Sequence, residues 1–166
     1  MELKDIKAVY FIGIGGIGMS AIARYFLHNG AIVGGYDRTP SELTKKLQTE
    51  GALIHYEENI SLIPEPCKKA DSCLVIYTPA IPSNHKELLF FQENGFCIQK
   101  RAQVLGTLTR SLHGLCVAGT HGKTTTTSLI SQVLIMADKD PACVIGGKLP
   151  LINGYGKDGS GENVVI

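Results

Sequence analysis

The sequence predicts an α/β fold in which a parallel sheet carries helices on both faces, and two observations support this prediction. Short apolar runs recur through the first hundred residues, as expected of strands buried on both faces of a sheet. Helix-like stretches separate these runs, and strands that alternate with helices through tight connections pair in parallel. The predicted strands are 8–12, 31–36, 52–55, 73–77 and 96–99, and the predicted helices are 17–28, 41–50, 85–94 and 101–110.

Local signals support the ends of these helices. Gly30, Gly51 and Gly95 each follow a helix-like stretch, at the position where a glycine commonly ends a helix. Ser41 stands where its side chain can cap the start of the second helix.

The alternation of strand and helix starts again after residue 112. Residues 115–118 are predicted as a buried strand, 124–136 as a helix, 142–145 and 164–166 as strands, and the glycine-rich stretch 148–162 as a loop. We therefore expect one domain over residues 1–112 and the first part of a second domain over 113–166. About fifty residues are too few for a self-sufficient α/β domain. Since a buried strand also stands last in the sequence, we expect the chain to be part of a longer protein.

The composition indicates a folded cytoplasmic protein. The chain has 166 residues, 44% of them hydrophobic, and its net charge of +1 does not suggest a nucleic-acid or anionic-membrane partner. Its five cysteines form no Cys-x-x-Cys pair, which favours reduced thiols over disulfides or a zinc site. The N-terminus lacks the layout of a signal peptide, and no apolar run approaches the roughly 20 residues that span a bilayer. The sequence is silent on oligomeric state.

A first glycine loop, Gly13-Ile14-Gly15-Gly16-Ile17-Gly18, follows a predicted strand and opens a predicted helix. In this context G-x-G-x-x-G predicts a Rossmann-like pyrophosphate site, because glycine permits the sharp turn, the close backbone approach and tight helix packing. Asp37, about twenty residues further on, stands where an acid can hold a ribose hydroxyl. Both NAD and a nucleoside-diphosphate sugar offer a pyrophosphate and a ribose, so the loop alone does not choose between them.

A second loop, Gly119-Thr120-His121-Gly122-Lys123-Thr124, also lies between a predicted strand and a predicted helix. It ends in the G-K-T of a P-loop, although Val117 occupies the position of the first glycine. In such a loop the backbone N–H groups wrap phosphates, Lys123 neutralises phosphate oxygens, and the Thr124 hydroxyl ligates Mg²⁺. His121 is expected to serve as a backbone donor with its side chain outward, and Thr125 to reach the nucleotide. The loop therefore predicts ATP and Mg²⁺ as cofactors.

The two loops together resemble the Mur ligases, which build the peptide stem of bacterial peptidoglycan. The resemblance extends to Tyr36-Asp37, to Thr78-Pro79-Ala80-Ile81 after the fourth predicted strand, and to Arg101-Ala102. The P-loop is common to the family. The regular first loop resembles the branch that joins L-alanine to UDP-N-acetylmuramate, and the branch that recycles muropeptide tripeptides remains the alternative within the family.

The resemblance implies a three-domain enzyme that binds in turn a UDP-sugar, ATP and an amino acid. The implied reaction phosphorylates the muramate carboxylate with ATP, and the amine of L-alanine then attacks the acyl phosphate. Lys123 would be the catalytic residue and Thr124 the metal ligand, and the acidic motif that completes the metal site is expected just after Ile166. The implied nucleotide contacts are Gly119, Thr120, His121, Gly122, Lys123, Thr124 and Thr125. The implied UDP-sugar contacts are Gly15, Gly16, Ile17, Gly18, Ser20, Asp37, Thr78, Ala80, Ile81 and Arg101.

Several alternatives stay open at this point. Ser20 can donate to a phosphate or simply pack beneath a helix, and Arg101 can contact substrate or be a solvated charge. The chain as a whole can be an NAD-dependent oxidoreductase, which would leave the second loop unexplained, or a nucleotide-sensing module without catalysis. The remaining histidines show no metal-ligand spacing and are interpreted as surface or hydrogen-bonded core residues: His28, His55, His85 and His113.

Overall fold

The computed structural model describes residues 5–152, 154–157 and 159–166, and two sheets follow one another along this part of the chain. The strands of the first sheet are β1 (Ala8–Ile12), β2 (Ile32–Tyr36), β3 (Leu53–His55), β4 (Cys73–Tyr77) and β5 (Cys97–Lys100). All neighbours pair in parallel, in the spatial order β3-β2-β1-β4-β5. The chain thus builds outward from β1 to β3 and then crosses back to place β4 on the other side of β1.

Helices cover both faces of this sheet, as predicted. They are α1 (Ile17–His28), α2 (Glu42–Thr49), α3 (Lys86–Glu93) and α4 (Arg101–Ser111). Buried side chains of α1, α2 and α4 share one apolar cluster, and those of α3 share a second cluster with Ile63 and with Cys67 of the short 3₁₀ turn Glu65–Lys68. The predicted cap of α2 is present, since the Ser41 hydroxyl accepts from the Thr44 N–H at 3.2 Å.

Strand β1 shows why the predicted strands are apolar throughout. Val9 and Phe11 belong to the cluster beneath α1, whereas Tyr10 and Ile12 belong to the cluster beneath α3. Successive side chains point to opposite faces, and here both faces are covered, so every position is buried.

The second sheet contains β6 (His113–Leu115), β7 (Ala142–Leu149), β8 (Gly154–Lys157) and β9 (Asn163–Val165), with helix α5 (Lys123–Met136) packed against it. Its spatial order is β6-β9-β7-β8, and the edge strand β8 is antiparallel to β7. No helix in the described part of the chain is long and apolar enough to cross a membrane.

Two predictions for this region are wrong. The strand predicted at 115–118 lies at His113–Leu115, and the stretch 148–162 contains the end of β7 and all of β8. The second error arose because glycine was interpreted as a sign of a loop. In β8 glycine is instead needed for close packing, since a Cβ at Gly156 would lie 2.6 Å from the Ala21 Cβ in α1. Asn153 and Asp158 of the predicted loop, like residues 1–4, lie outside the described residues.

Helix α3 offers a matched test of the core, because Leu88 is 3% exposed and the adjacent Leu89 is 37% exposed. Leu88→Ala should lower the free energy of unfolding by about 2–5 kcal/mol, since it opens a cavity under the sheet. Leu89→Ala should lower it by less than about 1 kcal/mol. Chemical denaturation of the two variants measures both values, and equal losses would contradict the placement of α3.

Candidate functional site

The first glycine loop lies at the carboxyl end of β1, directly before helix α1. Its turn is held by the N–H groups of Gly13 and Ile14, which donate to the carbonyl of Tyr36 at 2.8 and 3.1 Å. Gly13 has a φ of 89°, a conformation that favours glycine. Helix α1 then starts at Gly16 without a side-chain cap, so the N–H groups of its first turn are available to an anion.

Three glycines of this loop leave no room for a side chain. A Cβ at Gly13 would lie 2.8 Å from Thr78 Cγ2, and a Cβ at Gly15 would lie 2.8 Å from Asp37 Oδ2. A Cβ at Gly18 would overlap the guanidinium of Arg101, with 2.6 Å to Nη2. The loop therefore gathers the ends of β1, β2, β4 and β5 at one edge of the sheet, beside the crossover where ligands of such folds bind.

Both carboxylate oxygens of Asp37 already accept hydrogen bonds from the backbone, unlike those of a carboxylate that is free to bind a ribose. Its Oδ2 accepts from the Gly15 N–H at 2.6 Å, and its Oδ1 accepts from the Thr39 N–H at 3.3 Å. The Gly15 N–H thus already has a partner within the chain. The open N–H groups for an anion are those at the start of α1.

Three helix N-termini converge on this loop. Helix α1 begins there, Thr44 in the first turn of α2 has its Cγ2 2.9 Å from the Cβ position of Gly15, and Arg101 at the start of α4 covers Gly18. The uncapped start of α1 carries partial positive charge and the Arg101 guanidinium adds a full one, whereas the start of α2 is already capped by Ser41. The arrangement fits a doubly charged group such as a pyrophosphate.

The remaining predicted residues of this site differ in exposure. Ser20 is fully buried, and its hydroxyl donates to the Ile17 carbonyl at 2.8 Å, so it already has a partner within its own helix. Gly16, Ile17 and Ala80 are exposed. Ile81 borders the loop, with Cδ1 3.6 Å from the Cβ position of Gly13.

The second glycine loop connects β6 to α5 and is exposed. Gly119 has a φ of 147°, and Gly122, which begins α5 without a side-chain cap, has a φ of 77°. The Lys123 ammonium donates to the carbonyls of Gly119 and Thr120, the latter at 3.1 Å, so its charge lies across the loop. Phosphate oxygens can replace these carbonyls as acceptors, and the uncapped helix start supplies N–H donors, so the loop fits a nucleotide phosphate.

The neighbouring side chains agree with this geometry. Thr124 faces β7, where a Cβ at Gly147 would lie 2.6 Å from its Cγ2. His121 and Thr125 are exposed. Among the described residues no group of three or more His, Cys, Asp or Glu side chains is placed to hold a metal ion by itself, so a magnesium ion here would need ligands beyond Thr124, such as phosphate oxygens.

A buried polar network near the first loop was not predicted from the sequence. The Tyr10 hydroxyl lies 2.7 Å from Glu87 Oε2 and 2.7 Å from His55 Nε2, and the Asn59 N–H donates to Glu87 Oε1 at 3.0 Å. Glu87 is fully buried on the inward side of α3, one turn before Phe91. In the sequence, the helical spacing of Glu87 and Phe91 was the signal that could have indicated a buried acid. His85 also departs from expectation, because it is buried and neither ring nitrogen has a partner among the described residues.

Tyr10 joins the two titratable groups of this network. Its hydroxyl donates to Glu87 Oε2 and lies 2.7 Å from His55 Nε2. Nδ1 of His55 lies 2.8 Å from the Glu57 carbonyl, which can only accept, so Nδ1 is protonated. Burial raises the pKa of Glu87 to about 7 and lowers the pKa of His55, so it favours the neutral form of each group.

Fold and loops define a class: an α/β protein that presents two glycine loops, each at the uncapped start of a helix. The family model for the Mur ligase family, catalytic domain, matches residues 8–113. The chain belongs to the Mur ligase family, which confirms the resemblance found in the sequence.

Individual relatives give the same result. The UDP-N-acetylmuramate–L-alanine ligase of Parabacteroides distasonis is 55% identical over 149 residues, which cover 90% of this chain and 32% of that protein. The ligase of the same name from Phocaeicola vulgatus is 56% identical over 147 residues, which cover 89% of this chain and 32% of that protein. The chain therefore spans about a third of the length of the curated relatives it matches.

Solved structures agree on the fold. The UDP-N-acetylmuramate-alanine ligase of Thermotoga maritima superposes with a TM-score of 0.82 at 33% identity, over 95% of this chain and 36% of that one. A murein peptide ligase of Psychrobacter arcticus superposes with a TM-score of 0.81 over 96% of this chain and 37% of that one. At 24% identity the second likeness shows the fold alone.

The buried carboxyl of Glu87 predicts a pH effect. Its ordinary pKa is 4.5 and its folded pKa is about 7, so its stabilising contribution is complete below pH 4.5 and is lost as the pH rises to 7. Glu87→Gln stays neutral and escapes this loss. Its free energy of unfolding, relative to that of the unmodified chain, should rise by on the order of 1–3 kcal/mol between pH 4.5 and 8.

Denaturation of both proteins across that pH range checks the prediction. The lowered pKa of His85 acts in the opposite direction and cancels in the difference, because both proteins share it. His55 has a lowered pKa too, but its Nε2 lies 3.7 Å from Glu87 Oε1, so any change in its pKa is part of the measured difference. If the free energies of unfolding of the two proteins instead changed in parallel with pH, Glu87 would be ionised in the folded chain throughout this range, which would contradict the prediction.

Proposed function

We propose that this chain binds UDP-N-acetylmuramate at the first glycine loop and ATP with Mg²⁺ at the second. It would do so as part of a cytoplasmic ligase that joins L-alanine to the muramate carboxylate, without a nucleic-acid partner or membrane insertion. The observation that carries the proposal is the uncapped start of α1 with the Arg101 guanidinium beside it on one glycine loop. The relatives supply the identity of the ligands, since those at 55% and 56% identity are named for this reaction.

The alternatives receive less support. The tripeptide-recycling branch is represented by a structure at 24% identity, well below the L-alanine ligases. An NAD-dependent oxidoreductase would need only the first loop and would leave the second without a role. A nucleotide-sensing module would have no need of the reaction for which the relatives are named.

In the proposed first site, the N–H groups of Ile17 and Gly18 at the start of α1 hold the pyrophosphate, and Arg101 neutralises it from the side. Asp37 borders the ribose while it holds the Gly15 N–H. The segment with Thr78, Ala80 and Ile81 closes the uridine side of the loop. Gly16 adds no side chain on the exposed side of the loop, and Ser20 packs on the buried side of α1.

In the proposed second site, the backbone from Gly119 to Gly122 wraps the phosphates. Lys123 neutralises negative charge that develops on the transferred group, and the Thr124 hydroxyl holds the magnesium ion. When bound, ATP supplies the phosphoryl group that activates the muramate carboxylate as an acyl phosphate for attack by the amine of L-alanine. The groups that would complete the metal site and bind L-alanine are not identified within the chain.

Calorimetric titration with UDP-N-acetylmuramate tests the first site. The unmodified chain should bind the UDP-sugar and not NADH. Gly15→Val should abolish binding, because its Cβ would lie 2.8 Å from Asp37 Oδ2 and displace it. Gly106→Ala is the control, since a Cβ there, in α4 and outside the loop, would meet nothing within 4 Å and should leave binding intact. Binding of NADH alone would contradict the assignment.

Titration with ATP in the presence of Mg²⁺ tests the second site. Lys123→Ala should weaken binding roughly 10- to 100-fold, because hydrogen bonds to charged groups contribute about 1.5–3 kcal/mol. Lys139→Ala, which removes an exposed lysine beyond α5, is the control and should bind as the unmodified chain does. Equal affinities for all three proteins would remove the second loop from the proposed site.

A further inference from the structure

Strand β7 runs beside the first turn of α5 and presents two adjacent glycines to Thr124. A Cβ at Gly147 would lie 2.6 Å from Thr124 Cγ2, and a Cβ at Gly146 would lie 3.4 Å from Thr124 Oγ1. Neither glycine has a positive φ, so the backbone conformation there does not require glycine. What excludes a side chain at Gly147 is the space that the threonine methyl occupies.

The contact at Gly147 bears on the direction of the threonine hydroxyl. Threonine is β-branched, so a single torsion, χ1, sets the positions of Cγ2 and Oγ1 together. Gly147 leaves the space that the methyl occupies and so permits the rotamer that gives the hydroxyl its direction, whereas a side chain there would exclude that rotamer. At Gly146 the distance to Oγ1 is an ordinary contact, which leaves the hydroxyl open on that side.

We propose that Gly147 is a positioning residue that sets the Thr124 rotamer and so directs its hydroxyl to the magnesium ion of the bound nucleotide. The inference rests on the proposed function for the identity of the ion. It adds a residue on β7, far from the glycine loop in sequence, that acts only through Thr124. Residues that orient a metal ligand typically change metal affinity 10- to 100-fold when they are altered.

The test is a double-mutant cycle with Gly147→Ala and Thr124→Ser. Serine keeps the hydroxyl and lacks Cγ2, the only Thr124 atom within 3 Å of the added Cβ. In the threonine background, Gly147→Ala should weaken Mg²⁺-dependent ATP binding roughly 10- to 100-fold. In the serine background the same substitution should change it by less than about twofold, which is the scatter of independent substitutions.

Two further measurements separate positioning from general damage. UDP-N-acetylmuramate affinity should be the same in all four proteins, because the nearest atoms that a Cβ at Gly147 would meet belong to Thr124. Gly106→Ala adds a Cβ in α4 that meets nothing within 4 Å and should leave ATP binding unchanged. The magnesium concentration at half-saturation, with ATP fixed, should rise in Gly147→Ala and return in the double variant.

The outcomes are distinguishable. An equal loss of ATP binding on Gly147→Ala in both backgrounds, or no loss in either, overturns the positioning role and leaves the proposed function standing. Loss of UDP-sugar binding together with ATP binding shows a folding defect and overturns it too. If the unmodified chain does not bind ATP with Mg²⁺ at all, the nucleotide half of the proposed function fails, and this inference fails with it.

Discussion

The backbone of the first glycine loop lies so close to its neighbours that side chains are excluded at Gly13, Gly15 and Gly18. The space that each missing side chain leaves is occupied by a group from another segment: Thr78 from the end of β4, Asp37 from the end of β2, and Arg101 from the start of α4. Larger residues at Gly13 and Gly15 would displace Thr78 and Asp37, and one at Gly18 would move the Arg101 guanidinium. The close approach of these three groups to the loop therefore depends on three missing Cβ atoms.

Helix α1 connects this site to the rest of the molecule. One side of the helix packs in the first sheet's core, and Ala21 meets β8 of the second sheet at Gly156. β8 pairs with β7, and β7 carries the glycines that face Thr124. A series of packed elements thus lies between the two glycine loops. Such a path could carry coupling between two ligands and is not itself evidence for coupling.

The sequence predicted the bounds of an element correctly where burial on both faces determines both the apolar pattern and the structure. β1, β4 and α1 have the predicted bounds, because strands covered on both faces are apolar throughout and glycines mark the loop that follows. The pattern failed for β8, whose residues are glycine-rich because α1 lies so close to that strand. Composition alone could not distinguish this requirement from that of a loop.

The site was predictable to the level of segments rather than of contacts. The sequence indicated that Asp37 belongs near the loop, because it follows the end of a predicted strand, whereas Arg101 was suggested only by the family resemblance and could equally have been a solvated charge. It could not show that Asp37 bonds to Gly15, or that the Ser20 hydroxyl bonds within α1. These choices depend on side-chain rotamers and burial, which appear only when the elements are packed together.

The buried network beneath α3 explains how a weak element can support a close-fitting site. β3 has only three residues and pairs only with β2, so its backbone ladder alone gives it little support. His55 at its end is tied through Tyr10 to β1 and through Glu87 to α3. The carbonyl of His55 in turn accepts from the Asp37 N–H at 3.2 Å. An apolar replacement could pack as stably, but a connected polar network admits one arrangement, and that arrangement sets where Asp37 meets Gly15.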